Sequence, residues 1–97
     1  MSTRTPPRHL GAAEVITFTT IDPNHRTHKS RQLIGGKQVG TPAGLAIVRY
    51  PGERGYYLFD CDADWNPFAT TWHETVQDAK TAAEFEYEGT METWQSP

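Results

Sequence analysis

At 97 residues the chain suits one small domain, a size that buries only somewhat more than ~60% of the unfolded surface and leaves little room for a deep enclosed active site. The single cysteine, Cys61, excludes an internal disulfide and any structural zinc site built on two or more thiolates. No run approaches ~20 apolar residues and the N-terminus lacks the apolar stretch of a secretory signal, so the sequence predicts a cytoplasmic chain that does not span a membrane. A formal net charge of −3 hides a division: residues 1–40 hold six Lys and Arg against two acids, residues 41–97 three against ten. That polarity favours a basic partner for the second half, or association between unlike halves of two copies.

Residues 1–12, with Pro6-Pro7 and Gly11, read as a flexible tail, and residues 13–97 as a single domain. Val15 to Ile21, VITFTTI, is rich in β-branched residues and predicts a strand closed by Asp22-Pro23-Asn24. His25 to Ser30 is polar and basic and reads as an exposed loop; Arg31–Ile34 and Lys37–Val39 flank Gly35-Gly36 as a short hairpin. Leu45 to Tyr50 is a strand, Pro51 to Gly55 a hairpin loop, and Tyr56 to about Ala63 the returning strand, with Asn66-Pro67 breaking the pairing. Thr75 and Asp78 mark a helix start and Gly89 a left-handed stop, with Val76, Ala79, Ala83 and Tyr87 as the apolar stripe flanked by Ala82 and Phe85. Thr90 to Trp94 supplies an edge strand or docks Trp94 as a last core plug. The sum is an α+β fold, a small antiparallel sheet of three to five strands with one C-terminal helix packed on one face.

The stretch Asp60-Cys61-Asp62-Ala63-Asp64-Trp65 carries the sharpest chemical question. On a strand, alternation sends Asp60, Asp62 and Asp64 one way and Tyr57, Phe59, Cys61, Ala63 and Trp65 the other; the apolar set is expected to face the helix. Aspartates two apart on one face lie ~7 Å from each other, too far for adjacent ones to grip one ion. The D-x-D-x-D spacing also matches the opening of a calcium loop, but the sixth and twelfth positions, Gly and Glu in such loops, are Trp65 and Thr71. His25-x-x-His28 offers two imidazoles without a third ligand, and His73-Glu74 lacks the second His of a zincin, Gln77 standing there. Gly35-Gly36-Lys37 lacks P-loop spacing, and no cofactor motif is present. The basic loop 25–37 has no interleaved aromatics, which disfavours nucleic acid as a partner. No Ser-His-Asp or Cys-His arrangement is recognisable, and Cys61 is expected inward as inert packing.

One helix covers one face, so a second face needs a partner. Tyr50, Val48 and Ala46 on one strand, with Tyr56, Leu58, Asp60, Asp62 and Asp64 on the next, are expected to form a patch apolar at one end and acidic at the other. The expected partner-binding residues are therefore Asp60, Asp62, Asp64, Tyr50, Tyr56 and Leu58, used by a non-enzymatic protein-binding module against a protein with a basic surface. The alternatives are a small metal-binding protein or metal-dependent enzyme centred on Asp60, Asp62 and Asp64, and a homodimeric structural module.

The block GYYLFDCDADWNPFATTWHETVQDAKTAAEFEYEG, about a third of the chain, resembles a small family of uncharacterised bacterial proteins, which implies no particular activity. The order strand, hairpin, strand and a helix opening Thr75-x-x-Asp78-Ala79 and running to Ala83 is similar in layout to the sheet-and-helix unit of HicB antitoxins. The chain departs from that unit in its long N-terminal part and in lacking a separate C-terminal DNA-binding segment. The resemblance implies a non-catalytic, antitoxin- or immunity-like inhibitor that blocks a toxin.

Overall fold

The computed structural model describes residues 5–21 and 42–97, with three two-residue strands between them. In chain order the elements are β1 (His9–Leu10), β2 (Ala13–Thr20), β3 (Arg26–Thr27), β4 (Leu33–Ile34), β5 (Lys37–Gln38), β6 (Gly44–Arg49), β7 (Tyr56–Cys61), β8 (Pro67–His73), α1 (Val76–Glu86), β9 (Tyr87–Glu88) and a 3₁₀ turn (Thr90–Glu92). Five of the strands form one antiparallel sheet in the order β1-β2-β6-β7-β8, while β4 pairs with β5 and β3 with β9. The α+β architecture with one helix on one face is as the sequence predicts.

Part of the tail belongs to the sheet. His9 and Leu10 pair with Glu14 and Ala13 around Gly11, and the Val15 N–H donates to the Arg8 carbonyl at 2.9 Å. The sheet therefore begins four residues before the expected domain boundary at residue 13; residues 1–4 lie outside the described part. Likewise Arg26–Thr27, expected in a loop, pairs with Tyr87–Glu88. Apart from β4 and β5, which pair as the expected short hairpin, the rest of the basic segment, including His25, His28 and Gly35-Gly36, lies outside the described residues.

Two cores lie on the two faces of this sheet. Leu45, Ile47 and Leu58 pack against Ala79 and Ala83 of α1, joined at the margin by Ile21, Tyr56, Val76, Tyr87 and Trp94. Ala13, Val15, Phe18, Ala46, Val48, Phe59, Cys61 and Trp65 form the other. The expected orientation is thus reversed: Tyr56, Leu58 and Asp60 face the helix, while Tyr57, Phe59 and Cys61 face away from it. Alternation assigns residues to shared faces but is symmetric between the two, so it cannot say which face takes the helix. The deciding feature is complementarity: the small Ala79/Ala83 stripe accepts branched aliphatic side chains, and the curled far face gathers the aromatics. β6 is buried on both sides from Gly44 to Val48, which is what the unbroken run Leu-Ala-Ile-Val signals.

Register separates residues expected together. Val48 lies opposite Tyr57 and Ala46 opposite Phe59, so Ala46 and Val48, and Tyr50 two residues on, share a face with Tyr57, not with Tyr56 and Leu58. On β2 a bulge between Val15, opposite Val48, and Thr17, opposite Ile47, lets Val15 and Phe18 point to one side although three residues apart. The far face is closed by Trp65, whose ring meets Phe18 edge-on at 5.8 Å between centroids and lies so close over Gly44 that a Cβ there would stand 2.6 Å from the indole.

The helix opens as predicted on Thr75, whose Oγ1 accepts the Asp78 N–H at 3.0 Å. It stops at Glu86, before Gly89, which does adopt the left-handed backbone (φ 100°) but starts the 3₁₀ turn. Glu84 closes this end, its carboxylate accepting the N–H groups of Gly89 and Met91. Phe85, expected beside the apolar stripe, is exposed. Residues 90–94 form no strand. Trp94 docks against the helix-side core, and Gln95 exchanges two backbone hydrogen bonds with Phe18, at 2.7 and 3.0 Å.

Candidate binding surface

The acidic run is not a strand face. β7 ends at Cys61, where the register against β8 shifts, and only Asp60 lies within it. Asp60 sits half-buried in the seam between sheet and helix, accepting the Tyr87 hydroxyl at 3.3 Å. Burial, reinforced by the charge of Glu86 and opposed by the Tyr87 hydrogen bond, pushes its carboxyl up to about 6. The same burial, with the charges of Asp60 and Glu86, pushes the Tyr87 hydroxyl well above its ordinary range.

Asp62 instead builds a turn. Its Oδ1 accepts the N–H groups of Asp64 and Asn66, both at 2.9 Å, and Oδ2 accepts the Asn66 amide at 3.4 Å. The Trp65 N–H closes on the Asp62 carbonyl at 3.0 Å, and Trp65 takes a left-handed backbone, φ 66°, that throws its indole over Gly44. Asp64 is exposed at the tip of this turn. The three carboxylates therefore serve different places, and no group of three His, Cys, Asp or Glu side chains is arranged to hold an ion among the described residues. Cys61 is buried, as expected.

Of the six expected partner-binding residues, Leu58 is buried under the helix, Tyr56 and Asp60 line its margin, and Tyr50 lies on the opposite face. Arg49 stands over the Tyr56 ring at 5.8 Å. The patch expected from the sequence is not one surface. Leu58 is covered by α1, Ala46 and Val48 lie on the other face, and Asp62 is spent on its own turn.

Among the described residues the surface left open is β8, which begins where Asn66-Pro67 predicts a break in pairing. Proline is tolerated as the first residue of an edge strand, and Phe68, Thr70 and Trp72 carry the period-2 signal that marks the strand. β8 is the last strand of its sheet; among the described residues nothing pairs with its outer edge, and six of its seven residues are exposed. The stretch Pro-Phe-Ala-Thr-Thr-Trp-His holds no Lys, Arg, Asp or Glu.

The aromatics on this edge are positioned. Trp72 is 50% exposed, yet its Nε1–H donates to the Arg54 carbonyl at 3.2 Å, and its ring rests on Gly55, where φ is 84° and a Cβ would overlap the indole. Trp72 lies opposite Tyr57, which meets Tyr50 edge-on at 5.3 Å. Phe68, 51% exposed, is the extra residue where the register shifts, between Ala69 opposite Asp60 and Pro67 opposite Cys61. Acidic groups bracket the strand: Asp62 and Asp64 in the turn before Pro67, and Glu74 after His73, held by Arg54 at 3.6 Å. Such an edge offers a row of backbone donors and acceptors to an added strand, with aromatic side chains to anchor it.

No helix among the described residues is long and apolar enough to cross a membrane. Comparison with protein-family models, curated proteins and solved structures finds no match to this chain.

Proposed function

We propose that the protein is a non-enzymatic, cytoplasmic protein-binding module that takes an extended segment of a basic partner by strand addition along β8. The observation that carries this reading is the uncharged, seven-residue outer strand with half-exposed Phe68 and Trp72. Backbone pairing supplies affinity and the aromatics select the side chains they face. The exposed acids around the strand, Asp64 and Glu74, favour Lys or Arg flanking the bound segment. A layout similar to HicB antitoxins supports the narrower role of inhibitor or immunity-like protein, holding a strand of its target.

Selection from a displayed library of random peptides tests this. Recovered binders are expected to be extended, uncharged at the centre and flanked by Lys or Arg. Binding should fall at least tenfold in the double variant Phe68→Lys/Thr70→Lys, which places cations on the edge without touching the core. Failure to recover any peptide, or binders indifferent to that variant, would sink the reading.

A further inference from the structure

The geometry points to a proton-operated latch at the C-terminal end of α1: Asp60 and Tyr87 hold that end, with the 3₁₀ turn and the β3–β9 pair, against the sheet while Asp60 is protonated, and ionisation of Asp60 releases it. The latch lies on the helix-covered face and does not depend on the binding reading above.

Tyr87 is the joint between α1, the 3₁₀ turn, β3 and β7. Its backbone N–H donates to the Ala83 carbonyl and closes the helix. Its carbonyl accepts the hydroxyl of the fully buried Thr90 at 2.9 Å, and its backbone pairs with Thr27 of β3. These ties make the helix end, the turn and β3 one piece. The Tyr87 hydroxyl, donating to Asp60 at 3.3 Å, is the polar tie from that piece to the sheet, and it is the one a proton alters.

The surroundings of Asp60 oppose its charge. Among the described residues its carboxylate has one hydrogen-bond partner, the neutral Tyr87 hydroxyl, and it sits half-buried at the negative end of the helix dipole. Glu86 faces it from α1, and no Lys or Arg stands in the last turn to offset that charge. Lys80, the one base of the helix, lies ~10 Å before Tyr87 along the axis. Across the sheet β6 and β8 set Leu45 and Ala69 opposite Asp60. On its own strand Tyr56 shares its face, with Arg49 over that ring and His73 opposite on β8. β3 places Thr27 opposite Tyr87 and Arg26 opposite Glu88.

Burial, with Glu86 behind it, raises the Asp60 carboxyl to about 6, while the Tyr87 hydrogen bond pulls the other way. A released Asp60 faces water and returns to its ordinary value of 3.8. The latched form therefore binds the proton more tightly. Its advantage is complete below pH ~4 and is lost as pH rises through ~6. In a sealed site the ratio of latched to released forms would fall ~100-fold over that range; solvent at this half-buried position reduces the change to roughly tenfold.

Amide hydrogen exchange on the full chain from about pH 5 to about pH 7.5, expressed as protection relative to an unstructured chain at each pH, reads the latch. Protection at Tyr87 and Met91 should fall roughly tenfold with a midpoint near pH 6 and be insensitive to low urea, because release exposes little surface. The Asp78 and Ala79 amides at the other end of the helix, held by Thr75, open without moving Asp60 and should not change. Asp60→Asn should keep the latch closed at every pH, and Glu86→Gln should move the midpoint to lower pH. Protection at Tyr87 and Met91 that is flat with pH overturns the inference, as does an equal fall at Asp78 and Ala79, or one that grows with urea like global unfolding. A fall that survives Asp60→Asn, or a midpoint unmoved by Glu86→Gln, overturns it as well.

Discussion

Phe18 on β2 and Phe68 on β8 lie near the two edges of one sheet and differ almost completely in exposure, 1% against 51%. Their strands, Ala-Glu-Val-Ile-Thr-Phe-Thr-Thr and Pro-Phe-Ala-Thr-Thr-Trp-His, are both rich in Thr and each carries a large aromatic side chain. What separates them is the rest of the chain. Gln95, which takes both backbone groups of Phe18, also accepts the Thr17 hydroxyl at 2.7 Å from 78 residues away, and Thr19 and Thr93 share a hydroxyl hydrogen bond. Trp65 folds back to cover the Phe18 ring. Neither device reaches β8. An edge is closed by what returns to it, and a strand's own residues do not announce whether anything will.

The largest expected effect breaks the closed side. Phe18→Ala removes a fully buried ring from between β2 and Trp65 and should cost about 3–5 kcal/mol in urea denaturation, whereas Phe68→Ala should cost well under 1 kcal/mol. Equal costs would mean that the edges are not different in kind. Next in size is removal of Trp94 to Pro97, which deletes the half-buried Trp94 and the two bonds from Gln95 to Phe18. A loss of about 2–3 kcal/mol is expected.

Asp62→Ala tests how the open edge is delivered. Losing the acceptor of the Asp64 and Asn66 N–H groups should cost about 1–2 kcal/mol and shift tryptophan emission, because the turn that places Trp65 precedes β8 directly. Asp64→Ala, at the exposed tip, should do neither. These two residues also show where sequence reading stops. The strands β6 and β7, the hairpin between them, the Thr75 cap and the Ala79/Ala83 stripe are legible because each signal is local in the chain. The orientation of the sheet is not, because alternation is unchanged by turning the strand over. Asp60, Asp62 and Asp64 look equivalent at a spacing of two, yet a register shift after Asp60 gives them a seam, a turn and a loop tip. The edge β8 has a readable pattern in Phe68, Thr70 and Trp72, hidden behind Pro67, which interrupts pairing inside a sheet but is tolerated at the start of an edge strand.

The smallest effect concerns the face that the sequence reading left uncovered and the helix in fact covers. Asp60 keeps its proton to about pH 6, against an ordinary value of 3.8, chiefly because burial disfavours its charge. A carboxyl raised in the folded state stabilises the fold fully below pH ~4, and that contribution is lost as pH rises through ~6. A fully sealed site would give about 3 kcal/mol; solvent screening at this half-buried position reduces it to about 1–2 kcal/mol. Stability should therefore fall between pH 4 and 7 by that amount. Asp60→Asn should flatten the profile and raise the melting temperature at pH 7.5, since an amide oxygen can still accept the Tyr87 hydroxyl without a charge to desolvate. If Asp60→Asn instead lowers stability at pH 7.5, the carboxylate is held by its partners more strongly than burial opposes it. The helix-covered face would then tolerate a charge that the packing of Leu45, Ile47 and Leu58 on Ala79 and Ala83 gives no means to stabilise.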